Sequence, residues 1–128
     1  MSTVKPILGR ILGLDHIQLA MPAGGEDKAR TFYSGLLGMT EVAKPDNLAK
    51  RGGCWFELGS IKVHMGVERG FTPAQKAHPA FLVDDLSGFL KTLAAHEIEA
   101  TEDEPISGYH RAYINDPFGN RLELMQKL

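Results

Sequence analysis

The feature that most constrains the fold is an internal repeat, because the second half of the chain copies the pattern of the first. His16 in residues 14–19 aligns with His78 in residues 76–81, and His64 aligns with Glu123. Each pair holds the same place in a strand-like segment. A duplicated module can bring equivalent positions together on one pseudo-symmetric axis. The repeat therefore predicts that these four side chains belong to one site.

The first half is typical of a βαβββ module. Alternation predicts a strand at residues 16–21, and an apolar stripe with helical spacing predicts a helix ending near Gly38. The stripe consists of Ala29, Phe32, Tyr33 and Leu36. The remaining elements expected are a short strand at 39–43, a polar loop at 44–53, and a hairpin of strands 54–58 and 61–67 around a two-residue turn.

The second half repeats that order. Its expected elements are a strand at 78–83, a helix with the stripe Leu86, Phe89, Leu90 and Leu93, a weak acidic edge strand at 99–105, and a hairpin of strands 110–115 and 121–125. The sequence therefore predicts an α+β fold of two tandem βαβββ modules, residues 14–68 and 77–127, within a single domain spanning 1–128. We expect a curled mixed sheet around a cavity, with the helices outside.

The alternation of side chains predicts which face carries the chemistry. His64 stands between Val63 and Met65, and Glu123 stands between Leu122 and Leu124. Successive side chains of a strand point to opposite faces. If the large aliphatic residues pack on the helices, His64 and Glu123 project into the cavity. His16 and His78, in the first strand of each module, also lie on the face opposite the large aliphatic residues.

Composition excludes several classes of function. The formal charge is −2 and the 14 Lys and Arg residues are dispersed, whereas nucleic-acid binding needs a basic patch. The chain has one cysteine, Cys54, which rules out an intramolecular disulfide. Arg10 interrupts the apolar stretch 7–12, so we expect neither a signal peptide nor a membrane span. A cytoplasmic protein is the resulting expectation.

Four segments give the chain a family resemblance that extends from Leu14 to Gln126. They are Leu14-Asp15-His16-Ile17, residues 29–39 with Phe32-Tyr33 and Leu37-Gly38-Met39, Ala80-Phe81-Leu82-Val83-Asp84, and Asp116-Pro117-Phe118-Gly119-Asn120-Arg121-Leu122-Glu123. The chain resembles the vicinal oxygen chelate superfamily, which includes glyoxalase I, extradiol dioxygenases, fosfomycin-resistance transferases, methylmalonyl-CoA epimerases and bleomycin-resistance proteins. The resemblance implies paired βαβββ modules, commonly completed in a homodimer.

The resemblance also implies a divalent metal ion with ligands from first and fourth strands. His16, His78 and Glu123 match the superfamily's set of two histidines and one carboxylate. His64 stands at a fourth ligand position where glyoxalases and epimerases carry Glu or Gln. Imidazole and carboxylate ligands suit Zn, Ni, Co, Mn or Fe(II). The expected enzyme acts on a small oxygen-rich substrate that chelates the ion, as a lyase, an isomerase or a dioxygenase.

Further side chains have expected roles beside the metal. Glu123 is the candidate catalytic residue, as a ligand or as a general base. Arg111 and Tyr113 share a face and are the candidates for gripping the substrate, and Trp55 is a candidate for the pocket wall. An alternative is a metal-free protein, similar to bleomycin-resistance proteins, that sequesters an aromatic or drug-like molecule. The sequence leaves open whether the modules pair within a chain or across a dimer.

Overall fold

The computed structural model describes residues 3–128 and confirms the predicted α+β class. The elements are β1 (Ile17–Met21), α1 (Glu26–Ala29) with a π-helical continuation over Arg30–Leu36, β2 (Thr40–Val42), α2 (Asp46–Ala49), β3 (Cys54–Leu58), β4 (Ile61–Val67), β5 (Ala80–Leu82), α3 (Leu86–Ala95), β6 (Tyr109–Asn115) and β7 (Arg121–Lys127). None of the helices in these residues is both long and apolar enough to cross a membrane.

The strands form two mixed sheets with matching order. The first sheet runs β1-β4-β3-β2 and the second runs β5-β7-β6. In each sheet the first strand of the half pairs in parallel with the last one, β1 with β4 and β5 with β7. The remaining pairs are antiparallel hairpin partners. This order places the last strand of each half in the centre of its sheet, next to the strand that opens the half.

The acidic segment 99–105 forms less structure than predicted. Only Thr101 pairs with β6, through two backbone hydrogen bonds of 2.9 and 2.8 Å with Tyr113. Four carboxylates crowd this exposed segment, and like charges oppose regular pairing. In addition, the backbone carbonyl of Glu104 accepts hydrogen bonds from the Arg111 guanidinium instead of from a strand. The edge of the second sheet is therefore a single bridge.

The first helix buries the predicted stripe but with wider turns than an α-helix. Ala29, Phe32 and Tyr33 are buried, and the amide of Leu37 donates to the carbonyl of Phe32 across five residues, at 2.9 Å. Gly38 follows with φ +75°, a left-handed conformation that glycine adopts at helix ends without a steric cost. The polar loop expected at 44–53 contains one helical turn, α2.

Both sheets turn their aliphatic face towards one shared core. Val63 and Met65 of β4 and Leu122 and Leu124 of β7 are at most 1 % exposed within it. Buried polar bonds also join the two halves. The Tyr33 hydroxyl donates to Asp116 Oδ2 at 2.7 Å, and the side-chain amide of Asn120 donates to the carbonyl of Ala20 at 2.8 Å. The opposite faces of both sheets are left for His64 and Glu123.

Candidate metal centre

The first sheet assembles a stack of three rings. His64 on β4 lies directly opposite Trp55 on β3, and the two rings are nearly parallel with centroids 3.8 Å apart. His16, which immediately precedes β1, stacks on the other side of His64 at 4.0 Å. The sequence therefore folds so that two of the four predicted ligands, and the predicted pocket residue Trp55, meet in one place.

His64 is a buried imidazole without a hydrogen bond. Its residue is 5 % exposed, and within residues 3–128 neither ring nitrogen has a hydrogen-bonding partner, although both nitrogens keep some contact with solvent. Burial lowers the pKa of His64, and the neighbouring His16 lowers it further. Both effects favour the neutral form of the ring, which has a lone pair that can bind a cation. The face-to-face rings leave the His64 nitrogens at the edge of the stack, where they can be reached from outside the chain.

His16 is oriented by its own neighbour in the chain. Its Nδ1 lies 2.9 Å from Asp15 Oδ2, and Lys62 Nζ lies 3.7 Å from the other oxygen of Asp15. The hydrogen bond with His16 lowers the pKa of the Asp15 carboxyl, with Lys62 as the second cause. Because the carboxylate accepts, Nδ1 of His16 is the donor. The arrangement leaves Nε2 free, and a carboxylate behind a histidine is common where the histidine binds a metal.

The second sheet assembles the other predicted pair. His78, two residues before β5, places Nε2 at 2.9 Å from Glu123 Oε1 on β7. Its Nδ1 lies 2.7 Å from the carbonyl oxygen of Lys76. A carbonyl only accepts, so Nδ1 carries a proton, and Nε2 of neutral His78 has only a lone pair to offer. Two acceptors that face each other at this distance need a cation between them, either a proton or a metal ion.

The second oxygen of Glu123 is held by Arg111 on β6. The Nη1 atom of Arg111 lies 3.2 Å from Glu123 Oε2 and 2.7 Å from the Tyr113 hydroxyl. Burial opposes the charged form of Arg111, but the hydrogen bonds with Tyr113 and Glu123 outweigh it and raise the pKa of the guanidinium. Tyr113 also meets the His78 ring edge-on, at 5.1 Å. Predicted residues Arg111, Tyr113, His78 and Glu123 thus form one network.

The chemistry of the His78–Glu123 pair suits a divalent transition ion. Nε2 of His78 and Oε1 of Glu123 are 2.9 Å apart, the spacing of two ligands about 2.0–2.1 Å from one ion at roughly a right angle. Across residues 3–128, however, no three His, Cys, Asp or Glu side chains lie close enough together to hold an ion. The four predicted ligands occur as two separate pairs, one on each sheet.

A cavity of about 490 Å³ lies beside the second pair. It opens between β1 and the start of β7, and its lining includes Gln18, Phe71, Thr72, His78 and Arg121. Its size falls within the usual range of small-molecule sites. Arg121 was not among the predicted site residues. The signal was available, because Arg121 stands two residues before Glu123 on the same strand and therefore shares its face.

Comparison with known proteins agrees with this architecture. The family model of the Glyoxalase/Bleomycin resistance protein/Dioxygenase superfamily matches residues 13–124. A glyoxalase family protein from Bacillus anthracis is 45 % identical, with a TM-score of 0.89 over 95 % of this chain and 100 % of that chain. No curated protein matches the sequence.

Two more distant structures share the fold alone. A glyoxalase/dioxygenase from Nostoc punctiforme is 19 % identical, with a TM-score of 0.78 over 98 % of this chain and 99 % of that chain. The fosfomycin resistance protein FosX from Listeria monocytogenes is 17 % identical, with a TM-score of 0.74 over 93 % of this chain and 96 % of that chain. The family model and the Bacillus relative together show that the chain belongs to the glyoxalase/bleomycin resistance/dioxygenase superfamily, the vicinal oxygen chelate proteins.

Proposed function

We propose that the protein is a metal-dependent enzyme acting on a small, oxygen-rich substrate that chelates a divalent ion, by lyase, isomerase or dioxygenase chemistry. Members of its superfamily bind small molecules, commonly use divalent metals and often form dimers. The observation that carries the proposal is the His78–Glu123 pair, in which two acceptor atoms face each other at 2.9 Å. Zn, Ni, Co, Mn and Fe(II) suit such ligands.

The site would be completed across a homodimer. One chain provides His78 and Glu123, and the partner's His16 and the partner's His64 would supply the remaining ligands. Support comes from the separation of the two pairs on different sheets. It also comes from the free Nε2 of His16 and from the ring of His64, whose nitrogens make no hydrogen bond and keep contact with solvent. An ion shared in this way would stabilise the dimer, because each pair alone offers too few ligands.

The chain's own residues then prepare the site for acid–base chemistry. Arg111 holds Oε2 of Glu123, so that Oε1 faces His78. A bound ion would polarise the substrate oxygens that chelate it. Glu123 is the proposed ligand and, where a substrate displaces it, the proposed general base. Tyr113 fixes Arg111 through its hydroxyl, and the stacked rings of Trp55 and His64 would present their edges to the substrate.

The same ring stack supports the second candidate function. The Trp55–His64–His16 stack has centroid spacings of 3.8 and 4.0 Å, and the outer face of the half-buried Trp55 ring is where an aromatic compound could lie. A metal-free protein that sequesters such a compound would need this stack but not the His78–Glu123 pair. The two functions therefore differ in their response to a chelator.

Metal content tests the proposal directly. We expect untagged protein, reconstituted and dialysed, to hold about one divalent ion per chain by plasma mass spectrometry. The variant Glu123→Gln should lose the ion. The matched variant His96→Gln should keep it, because His96 is exposed at the end of α3 and bonds only to its own helix.

Protein that stays metal-free after reconstitution, or a Glu123→Gln variant with full metal content, would refute the proposal. Chelator-resistant binding of aromatic compounds would then support sequestration.

A further inference from the structure

Arg121 and Arg111 lie on the same face of the second sheet but differ in their bonding. All three nitrogens of the Arg111 guanidinium are engaged, by Glu104, Tyr113, Glu123 and Asp103. By contrast, the Arg121 guanidinium makes neither a hydrogen bond nor an ion pair with any group in residues 3–128. The N–H donors of Arg111 are used within the protein, whereas those of Arg121 are available to a ligand.

Arg121 is nevertheless held in position. Its Cζ atom lies 4.8 Å from the centre of the Tyr113 ring, a cation–π contact that fixes the head group without using any N–H donor. Tyr113 is anchored in turn by its hydroxyl, at 2.7 Å from Arg111 Nη1. A charged side chain that is oriented but has no partner loses less entropy when a ligand binds. The donors of Arg121 are thus prepared for an acceptor from outside the chain.

The position of Arg121 relates it to the proposed metal ligands. Arg121 opens β7 and is paired with Asn115, while Glu123 is paired with Tyr113. Two residues along a strand correspond to about 7 Å. Arg121 and His78 also line the same cavity of about 490 Å³. A ligand in this cavity can therefore contact both the Arg121 guanidinium and His78, whose Nε2 lies 2.9 Å from Glu123 Oε1.

The rest of the cavity lining suits a small molecule with one charged end. Thr72 and Gln18 contribute a hydroxyl and an amide with no hydrogen-bonding partner in the described chain, and Phe71 and Pro79 contribute apolar surface. Glu68 is the carboxylate in the lining, and it forms no ion pair with Arg121. Guanidinium groups bind carboxylates and phosphoryl groups in a bidentate manner.

We propose that Arg121, seated on the Tyr113 ring, binds a carboxylate or phosphoryl oxyanion of the substrate and so orients the substrate towards the His78–Glu123 pair. The proposal rests on the proposed function in one respect, namely that the His78–Glu123 pair holds the metal ion towards which the substrate is oriented. The residues that bind the oxyanion all belong to one chain. The proposal assigns the substrate class: small molecules that carry a carboxylate or phosphoryl oxyanion in addition to the oxygens that chelate the ion.

Calorimetric titration of two probes, inorganic phosphate and malonate, tests this assignment. Each probe is titrated at low ionic strength into metal-free and metal-loaded protein, and the comparison of phosphate with malonate decides between phosphoryl and carboxylate recognition. The main variant is Arg121→Met, which keeps an apolar stem against Tyr113 and removes the charge. The matched control is Arg51→Met, which removes the same charge from an exposed loop. Thermal unfolding and metal content are recorded for every variant.

The expected result is that Arg121→Met raises the dissociation constant of at least one probe roughly tenfold or more in both forms of the protein. Arg51→Met should leave that dissociation constant unchanged. The metal content of both variants should equal that of wild type. Arg121→Lys should recover only part of the affinity, because lysine lacks the bidentate fork.

Two results would overturn the proposal. One is equal binding of both probes by wild type and Arg121→Met, and the other is no binding of either probe to folded wild type. The metal measurements separate this failure from that of the proposed function. Arg121-dependent binding in a protein that takes up no metal would refute the metal site and support the oxyanion site. Normal metal uptake with binding independent of Arg121 would refute the oxyanion site alone.

Discussion

The two oxygens of Glu123 have different partners, and this division decides what the residue can do. Oε1 faces His78 at 2.9 Å and Oε2 faces Arg111 at 3.2 Å. With Glu123 at 6 % exposure, a carboxylate without these partners would carry a large desolvation cost. Arg111 therefore acts as a positioning residue that offsets the charge of Glu123 and aims one oxygen at the proposed ion.

Replacing Arg111 by lysine should weaken metal binding without abolishing folding. Lysine keeps the positive charge but cannot contact Glu123, Tyr113 and the Glu104 carbonyl together, because it lacks the planar fork. Loss of an outer partner of a metal ligand typically lowers affinity about 10–100-fold. Competition with a chromophoric chelator measures this affinity, and Arg51→Lys in the exposed loop is the control. An Arg111→Lys protein with wild-type metal affinity would contradict the positioning role.

At the scale of elements, the close contact between β3 and β4 depends on Gly53. Gly53 has φ +82°, and a Cβ built on it would lie 2.1 Å from the carbonyl oxygen of Met65. That oxygen is backbone in the sheet that carries His64, so it cannot move aside cheaply. Gly59 in the β3–β4 turn has φ +59°, but open space surrounds its Cβ position.

Alanine substitutions at Gly53 and Gly59 should distinguish two causes of destabilisation. Gly59→Ala reports backbone strain alone, and Gly53→Ala reports backbone strain together with steric overlap. Gly59→Ala should cost about 1–2 kcal/mol of unfolding free energy, the usual penalty of a left-handed non-glycine residue. Gly53→Ala should cost more, because the overlap with Met65 is added to the same penalty. Urea unfolding measures both, and Trp55 fluorescence reports the packing of the ring stack. Equal losses for the two variants would show that the strand contact is adjustable.

The junction of α1 with β3 gives stability a defined pH dependence. Glu26 Oε2 accepts a hydrogen bond from the Gly53 amide at 2.8 Å, and this bond is the main cause of the lowered pKa of Glu26. A carboxyl with a lowered pKa in the folded state stabilises the protein above its unfolded pKa, near the ordinary value of 4.5. That stability is lost as the pH falls through the lower, folded-state value.

Removing the titratable group at residue 26 should therefore make the free energy of unfolding less dependent on pH at acidic pH. The variant Glu26→Gln keeps an oxygen that can accept from Gly53 but carries no charge. As the pH falls below about 5, wild type should lose more unfolding free energy than Glu26→Gln, and above that pH the two curves should run parallel. Urea midpoints at each pH provide the comparison. Identical slopes for the two proteins throughout would refute the assignment of this bond.

Elements and faces could be predicted from the sequence where the pattern is periodic. Alternation around His64 and Glu123 located both residues opposite the buried aliphatic set, and the stripe ending near Gly38 located the first helix. The π-turns of that helix and the single bridge at Thr101 could not be predicted, because they depend on tertiary packing and on the Arg111–Glu104 contact. Arg121 could have been placed on the face of Glu123 from its spacing along β7, whereas its lack of a partner is visible only in three dimensions.

At the scale of the whole molecule, the separation of the ligand pairs makes assembly part of the proposed chemistry. One sheet carries His16 and His64 and the other carries His78 and Glu123. Their halves are joined by a shared core and by the buried Tyr33–Asp116 bond, so in the proposed arrangement each chain would hold two incomplete sites at fixed positions. In a twofold dimer, equivalent surfaces meet reciprocally, and two incomplete sites per chain become two complete sites per dimer.

Mixing two defective variants tests this arrangement. His16→Ala and Glu123→Ala should each fail to bind metal as homodimers, because every site in them lacks a ligand. In a heterodimer, one site lacks both ligands and the other is intact, so exchange of subunits should restore about half of the wild-type metal content per dimer. Native mass spectrometry of the mixture resolves the heterodimer and its bound ion. Co-expressed variants avoid dependence on slow exchange. A metal-free heterodimer would show that each site is built within a single chain. In that case one subunit would lack His16 and the other would lack Glu123, so neither could form a complete site.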